Sequence, residues 1–587
     1  MQVYKAPLED IRFNLETFEY DKVNKLPGFE DYDIGTLMDL FAAGDTFARE
    51  QMLPLNGSAD VEGLGFDPKT GAVTTPKGFK ELYKSYCEQG YASLAHDVDL
   101  GGSGAPTLTA VVFNEMFVAC NKSFTMVGGL SHGLIESLKH YGTDEQKEKY
   151  LTKLISGEWT GTMCLTEPQA GTDLGLISTK AIPNDDGSYN LTGTKIWITF
   201  GEHDLTDNIL HLVLARLPGA PEGSKGISVF LVPKINDDGS VNTITCGGLE
   251  HKMGIKASPT CVMNLEDAKG YLVGEPNKGM RAMFVMMNAA RLFVGVEGLG
   301  MSEIAYQTAL EFAKDRRQSR ALDAAKQDGD AKADNIMVHP DVRRMLLNIK
   351  STNEGMRALS LWTGTLLDTA HNSKDEEEAK KADDLVALLT PIIKSYMTEK
   401  GFLNVSDAMQ VCGGAGYTTD WSIEQYMRDI RIAMIYEGTN HIQALDLVGR
   451  KLPKGGGELF RTFAGVMGEF LGATKGDEKF AEFHSKLKAT SKALNELTMN
   501  LGAKGMQDPE EAGAAASNYL NVFALTSLAY VWGRMIHAAQ QKEGKFYETK
   551  IKTGRFFFEH VLPEVDSLIL KTNAGKAAIM DFDVDEF

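Results

Sequence analysis

A carboxylate in an apolar setting is the first candidate for chemistry in this chain. Glu437 lies in the stretch IYEGTNHIQ (435–443), after two bulky apolar residues and directly before Gly438. Apolar surroundings raise the pKa of a carboxyl group, which suits a general base that removes a weakly acidic proton. The alternative interpretation is a glutamate that caps the N-terminus of a helix. The stretch by itself leaves both open.

Three further stretches could hold a polar or planar ligand. CLTEPQAGTDLG (164–175) predicts a strand that ends in a loop rich in Gly and Thr, whose backbone N–H groups could hold ligand atoms. The alternative is an ordinary turn, and without a GxGxxG spacing that opens a helix a Rossmann site is not supported. In KIWITFG (195–201), Trp197 and Thr199 are predicted to share one face of a strand, toward a planar cofactor or a core. The glycines of QVCGGAGYTTD (410–420) permit close backbone approach or simply end a helix.

Secondary-structure elements must position these stretches, and the pattern of residue types changes along the chain. Apolar residues at three- and four-residue spacing predict helices before residue 160 and again after residue 278. Between them, runs rich in Thr, Val, Ile and aromatic residues predict strands, and NDDG at 184–187 and 236–239 predicts hairpin turns. Because the strands do not alternate with helices, a doubly wound sheet is disfavoured. The predicted domains are 1–160 (helical), 161–277 (β), 278–452 (helical, with Glu437) and 453–587 (a helical extension).

Smaller features complete this organisation. Ala305, Ala309, Phe312 and Ala313 form one apolar stripe of a predicted helix. The segment 320–337 is a polar loop without periodicity, and the charge run 373–384 indicates a solvated helix end. A Gly-rich linker at 451–457 precedes the extension.

Composition excludes several classes of protein. Of 587 residues, 60 are Lys or Arg and 80 are Asp or Glu, so the net charge is −20, and 43% are hydrophobic. This is the composition of a globular chain, and its acidity argues against binding to nucleic acid or anionic membranes. Neither a secretory signal nor a transmembrane helix is expected. Six scattered cysteines without a C-x-x-C pair predict free thiols, a cytoplasmic location and no metal site.

Taken together and in this order, the four stretches resemble those of the acyl-CoA dehydrogenases, FAD-dependent enzymes that desaturate acyl-CoA thioesters. The resemblance covers about residues 90 to 450 and includes SHGLIESLKHYGTDEQKEKYLTKL, HKMGIKASPTC and KDRRQSR. It implies a mainly α, α+β fold with an N-terminal helical domain, a middle antiparallel β domain and a C-terminal helical bundle. The lead YKAPLEDIRFNL and the extra C-terminal helical domain resemble the large subclass of this family.

The resemblance implies a role for each matching residue. Glu437 would be the catalytic base, and its neighbour Gly438 would contact substrate. The residues implied in FAD binding are Met163, Leu165, Thr166, Gly171, Thr172, Trp197, Thr199, Arg316, Gln410, Gly413, Gly414, Thr439 and His441. Among them, Trp197 would flank the flavin ring and Thr199 would hydrogen-bond N5. Arg316 would reach the FAD of a neighbouring subunit, and so would Gln410, Gly413 and Gly414, called the Gln410 group below. CoA would be contacted by Thr172, Asn288 and Arg291.

The chain departs from the family pattern at three places. The family usually has Asp at the position of Asn288, Gln at that of His441, and Phe-Gly where this chain has Ser319-Arg320. These differences concern the fine geometry of FAD and CoA binding rather than the reaction.

The implied reaction is α,β-dehydrogenation of an acyl-CoA to a trans-2-enoyl-CoA, with an electron-transfer flavoprotein as acceptor. The general sequence pattern is similar to that of the 3-methylmercaptopropionyl-CoA dehydrogenases. The expected substrate is therefore 3-methylmercaptopropionyl-CoA or another short- or medium-chain acyl-CoA. A homo-oligomer, with a dimer favoured, and no integral membrane association are also expected. The alternatives are an acyl-CoA oxidase that passes electrons to O₂ and a nucleic-acid-binding flavoprotein of this fold. The second needs a basic C-terminal domain, whereas 458–587 mixes Lys with many Asp and Glu.

Overall fold

The computed structural model describes residues 2–587, except the side chains of residues 285, 286, 288 and 289. The chain forms two compact units, each described by itself below. Unit one contains residues 1–45, 106–119 and 294–587, and unit two contains residues 46–105 and 120–293. Three helices pass from one unit to the other along the chain: α3 (Ile34–Phe47), α6 (Thr107–Tyr141) and α8 (Gly279–Asp315).

Unit two is built around a seven-stranded sheet. Its strands are β3 (Thr160–Cys164), β4 (Lys180–Pro183), β5 (Tyr189–Thr199), β6 (Ile209–Arg216), β7 (Ile227–Pro233), β8 (Ile244–Leu249) and β9 (Thr260–Val273). A separate two-stranded ladder pairs β1 (Gly65–Phe66) with β2 (Val73–Thr74), and the other helices of this unit are α4 (Leu53–Glu62), α5 (Phe79–Glu88) and α7 (Asp144–Ile155).

The sheet order is β3-β6-β4-β5-β9-β7, with β8 on β9 and a further pairing between β6 and β7 that closes the path. Pairing is antiparallel except at β3–β6 and at one β4–β6 pair, which are parallel. The β4–β5 hairpin predicted from NDDG is confirmed, with Gly187 at φ +82°. The second NDDG closes only the single bridge between Ile235 and Val241, because β8 pairs with β9 instead of β7.

Two apolar clusters cover this sheet, and β3 contributes to both. Met163 belongs to a cluster that includes side chains of α6 and α7, whereas Cys164 belongs to a cluster formed by the other strands. All five residues of β3 are buried. The strand that leads into the predicted ligand loop is therefore held from both faces.

Unit one is helical. It contains α1 (Leu8–Thr17), α2 (Tyr20–Val23), α9 (Pro340–Asn372), α10 (Glu376–Cys412), α11 (Gly414–Tyr417), α12 (Ile423–Ile430) and α13 (Asn440–Asp446). The extension adds α14 (Glu458–Ala473), α15 (Ala481–Gln507), α16 (Pro509–Ala539), α17 (Lys545–Phe556), α18 (Glu564–Asn573) and α19 (Ala577–Met580). Of the predicted stripe on α8, Ala305, Ala309 and Ala313 are fully buried and Phe312 is half-buried.

The polar loop after α8 is more ordered than its composition suggests. The buried carboxylate of Asp334 accepts hydrogen bonds from the backbone N–H groups of Ala321 (2.6 Å) and Asp328 (2.7 Å). The charge run is confirmed as a helix start, since Asp375 caps α10 by accepting from the N–H groups of Glu377 and Glu378. All six cysteines are free thiols. No helix among the described residues has the length and apolarity needed to span a membrane.

Candidate functional site

The ends of β3 and β5 lie side by side in unit two. The Ile196 N–H donates to the carbonyl oxygen of Thr166 at 2.9 Å, and the Lys195 ammonium donates to that of Leu165 at 3.1 Å. Two of the stretches singled out from the sequence, 164–175 and 195–201, are thus brought together. They form one surface to which each contributes backbone and side chains.

A buried carboxylate holds the loop that follows β3. Glu167 is 2% exposed and accepts from Lys195 Nζ (2.8 Å), the Ser178 N–H (2.7 Å) and the Thr179 hydroxyl (2.6 Å). Burial alone raises its pKa, but Lys195 and the hydroxyl and N–H donors outweigh burial and lower the pKa of Glu167 to about 2. Burial lowers the pKa of Lys195 from its ordinary value, against the opposing effect of Glu167. The loop therefore rests on a buried pair in which the carboxylate of Glu167 stays ionised at neutral pH.

A β-bulge turns Trp197 outward. The register of β5 on β9 shifts between Lys195 and Ile198, and Trp197 adopts φ +60°. As a result its indole is 60% exposed, whereas Ile198 is buried. A bulge inserts an extra residue and re-aims the side chain, and from Trp197 onward the exposures alternate, with Trp197 exposed, Ile198 buried and Thr199 half-buried. An exposed indole beside the loop offers a flat apolar surface to a planar ligand.

The other predicted residues of this surface differ in exposure. Gly171 and Thr172 are exposed, Leu165, Thr166 and Thr199 are half-buried, and Met163 is buried. A side chain added at Gly171 would meet nothing within 4 Å, so its backbone is open to a ligand. Arg291 is buried in α8, and the side chain of Asn288 lies outside the part that the structure describes.

Glu437 lies in a tight turn of unit one. Its φ is +54° and that of Gly438 is +83°. Thr439 is the N-cap of α13, with its hydroxyl accepting from the Ile442 N–H at 3.4 Å. The alternative interpretation of Glu437 as the helix cap is therefore wrong, and Glu437 is half-buried.

The turn is held from both sides. The fully buried amide of Gln443 donates to the carbonyl oxygens of Glu437 (3.2 Å) and Gly438 (3.0 Å). Asn440 joins the start of α13 to α10, because it accepts from Lys394 Nζ (3.1 Å) and donates to the Ser395 carbonyl (3.1 Å).

Tyr436 gives the turn a further anchor, since its hydroxyl donates to Glu297 on α8. Burial, together with the nearby carboxylates of Glu297 and Glu437, raises the pKa of Tyr436 well above its ordinary value. The phenol therefore stays protonated and keeps donating.

The remaining predicted residues of unit one are exposed. Gln410, Gly413 and Gly414 lie at the end of α10, about 22 Å along the helix axis from Ser395 at a rise of about 1.5 Å per residue. Arg316 directly follows α8. His441 follows Asn440 on α13, and its Nδ1 lies 3.1 Å from the hydroxyl of Ser517 on α16. The structure does not bring the Gln410 group together with Glu437.

Four residues that support the site were not identified from the sequence: Glu167, Lys195, Asn440 and Gln443. Each lies within or beside a recognised stretch. Their residue types and sequence neighbours do not indicate burial, and the partners of the Glu167–Lys195 pair are 28 residues apart in sequence.

Family models match most of the chain. They are described as acyl-CoA dehydrogenase N-terminal domain (residues 46–158), middle domain (162–268) and C-terminal domain (277–452), and as acetyl-CoA dehydrogenase C-terminal like (463–583).

Curated relatives match over nearly their full length. A 3-methylmercaptopropionyl-CoA dehydrogenase of Ruegeria pomeroyi is 40% identical, with 96% of each chain covered. A butyryl-CoA dehydrogenase of Syntrophomonas wolfei is 32% identical, with 100% of this chain and 99% of the relative covered.

Among solved structures, Caenorhabditis elegans ACDH-11 in complex with C11-CoA has a TM-score of 0.79 at 19% identity, covering 99% of this chain and 96% of that one. An acyl-CoA dehydrogenase of Bacillus anthracis complexed with FAD has a TM-score of 0.75 at 23% identity, covering 96% and 91%. These two likenesses concern the fold.

Proposed function

The chain belongs to the acyl-CoA dehydrogenase family, and from this premise we propose that it oxidises an acyl-CoA thioester to the trans-2-enoyl-CoA with Glu437 as the base. The observation that carries the proposal is the turn of Glu437 and Gly438, whose positive φ angles are held by Gln443. A non-glycine residue kept in a left-handed conformation by a buried partner is typical of a functional position.

The residues of both units fit FAD as the cofactor. In unit two, the exposed indole of Trp197 lies beside a loop with open backbone at Gly171. In unit one, side chains added at Gly413 and Gly414 would also meet nothing within 4 Å. Trp197 and the loop 165–172 would hold the flavin, and Thr199 would donate to its N5. When bound, FAD supplies the acceptor for the hydride that leaves the β-carbon.

Glu437 would remove the proton from the α-carbon of the thioester. That proton is too weakly acidic for a carboxylate in water, so the developing charge on the thioester oxygen needs a donor. We assign this role to the backbone N–H of Glu437. Arg291, Asn288 and Thr172 would contact CoA.

We propose 3-methylmercaptopropionyl-CoA, or another short- or medium-chain acyl-CoA, as the substrate. The relative of that name shares 40% identity, against 32% for the butyryl-CoA dehydrogenase, over similar lengths. We further propose a cytoplasmic enzyme, an electron-transfer flavoprotein as acceptor, and a homodimer in which Arg316 and the Gln410 group serve the neighbouring chain. The exposed positions of Arg316, Gln410, Gly413 and Gly414 support the last point.

The test is a panel of acyl-CoA substrates assayed on the flavin-loaded enzyme with a dye acceptor. We expect bleaching of the flavin by substrate and the highest kcat/KM for 3-methylmercaptopropionyl-CoA, since that ratio expresses discrimination. No bleaching by any acyl-CoA would overturn the proposed reaction, and a higher ratio for another chain would overturn only the substrate. Hydrogen peroxide formed with each turnover would identify an oxidase.

A further inference from the structure

Three potential metal ligands that the proposed reaction does not use lie together in unit two. Atoms of His96, His132 and Glu136 that could bind a metal all lie within 4.8 Å of one another. His96 comes from the segment between α5 and α6. His132 and Glu136 are four residues apart on α6 and so project from the same side of the helix.

His96 is in an unusual state for a histidine. Its side chain is 5% exposed, and its Nδ1 is buried without a hydrogen-bond partner. A buried polar atom without a partner is costly, because it has lost its hydrogen bonds to water. The imidazole of His132 is the nearest ring, with centroids 5.2 Å apart, and the edge of Phe293 packs on His132 at 5.7 Å.

Burial disfavours the charged form of both imidazoles. Burial, together with His132 and Lys139, lowers the pKa of His96 to about 3, and burial also lowers the pKa of His132 despite Glu136. A neutral imidazole has a lone pair that can coordinate a metal without first losing a proton.

We propose that His96, His132 and Glu136 bind a divalent transition-metal ion of the zinc class. Two imidazoles and one carboxylate are a ligand set that suits Zn²⁺, with water in the open position. His132 and Glu136 are half-buried, so the ion has a path from solvent. Binding through Nδ1 would satisfy the unpartnered atom of His96 and tie the segment before α6 to the helix. The spacing of the cysteines gave no sign of this site, because its ligands are histidines 36 residues apart in sequence.

The ammonium group of Lys139 would compete with a metal ion for the Glu136 carboxylate. Lys139 Nζ lies 3.5 Å from Glu136 Oε1 and 2.8 Å from Asp97 Oδ2, and His140 Nε2 lies 4.0 Å from Glu136 Oε2. A metal has to share Glu136 with Lys139. The affinity is therefore expected to be lower than that of a zinc site made of cysteine thiolates.

The experiment titrates Zn²⁺ into the full-length, flavin-loaded protein after treatment with a chelator. We expect one Zn²⁺ per chain, with a Kd of about 1 µM or tighter by calorimetry, and the same stoichiometry by metal analysis after gel filtration. His96→Gln and His132→Gln should each weaken binding by more than about 100-fold, since loss of even an outer-shell partner costs 10–100-fold. The matched control is His251→Gln, an exposed histidine of the same unit outside the cluster, which should bind as the wild type does.

A wild-type Kd for Zn²⁺ above about 100 µM, which corresponds to a binding free energy weaker than about −5.5 kcal/mol, would overturn the proposal. So would equal binding by the wild type, His96→Gln and His132→Gln, or an equal loss in His251→Gln. Flavin content and thermal unfolding check that each variant is folded. If a histidine variant does not fold, Glu136→Gln replaces it, because it keeps the side-chain size and removes the charged ligand.

Discussion

At the scale of single residues, Glu437 is held in a backbone conformation that is costly for a side chain. A non-glycine residue in the left-handed region costs about 1–3 kcal/mol, which the surroundings must offset. Here the offset comes from Gln443, whose amide reaches two successive carbonyl oxygens, and from Thr439 and Asn440 at the start of α13. The chemistry assigned to Glu437 thus depends on neighbours that take no part in it.

Glu437→Gln is expected to keep bound FAD and to slow the reduction of the flavin by substrate by several orders of magnitude. The amide has nearly the shape of the carboxylate but cannot accept the α-proton, and a positioned general base contributes about 10²–10⁴-fold by itself. Stopped-flow bleaching of the flavin measures the rate. Bleaching at close to the wild-type rate would remove Glu437 as the base.

Gln443→Met should lower kcat by about 10–100-fold with a smaller effect on KM, because misplacement of a catalytic group by about 1 Å can cost 10²-fold. The thioether keeps the length of the side chain but donates no hydrogen bond to the turn. The matched control is Gln540→Met, since Gln540 donates to the carbonyl of Lys479 at 2.7 Å in the extension. Equal kcat in the two variants would show that Gln443 does not position Glu437.

At the scale of elements, the joined ends of β3 and β5 depend on one buried ion pair. Lys195 sits in β5 and Glu167 in the loop after β3, and the pair is completed by donors from Ser178 and Thr179 before β4. Three chain segments meet at a single carboxylate. The bulge at Trp197 follows the pair directly along β5.

Glu167→Gln should lower the free energy of unfolding at pH 7 by about 3–5 kcal/mol, because it leaves the Lys195 ammonium buried without its countercharge. The double variant Glu167→Gln/Lys195→Met should recover part of the loss. Urea unfolding measures both, and an undamaged single variant would mean that the pair does not hold the loop.

The same variant should differ from the wild type in its response to acid. The pKa of Glu167 is lowered in the folded state to about 2, from an ordinary value of 4.5. Its contribution is therefore fully present above pH 4.5 and is lost as the pH falls toward 2. Unfolding curves between pH 5 and pH 3 should fall more steeply for the wild type than for Glu167→Gln.

At the scale of the whole molecule, the C-terminal extension is part of the core of unit one. Trp532 of α16 is fully buried and donates to the Ser351 carbonyl of α9 at 3.1 Å. Lys550 of α17 is 2.7 Å from Glu354 and also contacts Asp10 of α1. Arg357 binds the same Asp10 at 2.7 Å. Helices from the beginning, middle and end of the chain therefore share one buried charged network.

Gly355→Ala tests this packing. A Cβ there would lie 2.8 Å from Trp532 Nε1, so α9 and α16 would have to separate, at a cost of about 1–3 kcal/mol. The matched control is Gly513→Ala on α16, where a Cβ meets nothing within 4 Å and about 1 kcal/mol of stabilisation is expected from helix propensity. Thermal unfolding and limited proteolysis of the extension measure the effect. Equal stability of the two variants would contradict close packing of α9 on α16.

The sequence by itself determined the features that depend on neighbours along the chain. These are the order of helices and strands, the β4–β5 hairpin and the stripe on α8, because periodicity and turn preference are local properties. Only the tertiary structure decided the bulge at Trp197, the Glu167–Lys195 pair, the support of Glu437 by Gln443 and the meeting of His96 with His132. Each of these needs a particular geometry or a partner brought close by folding, and burial sets its energy through desolvation that no residue type announces in advance.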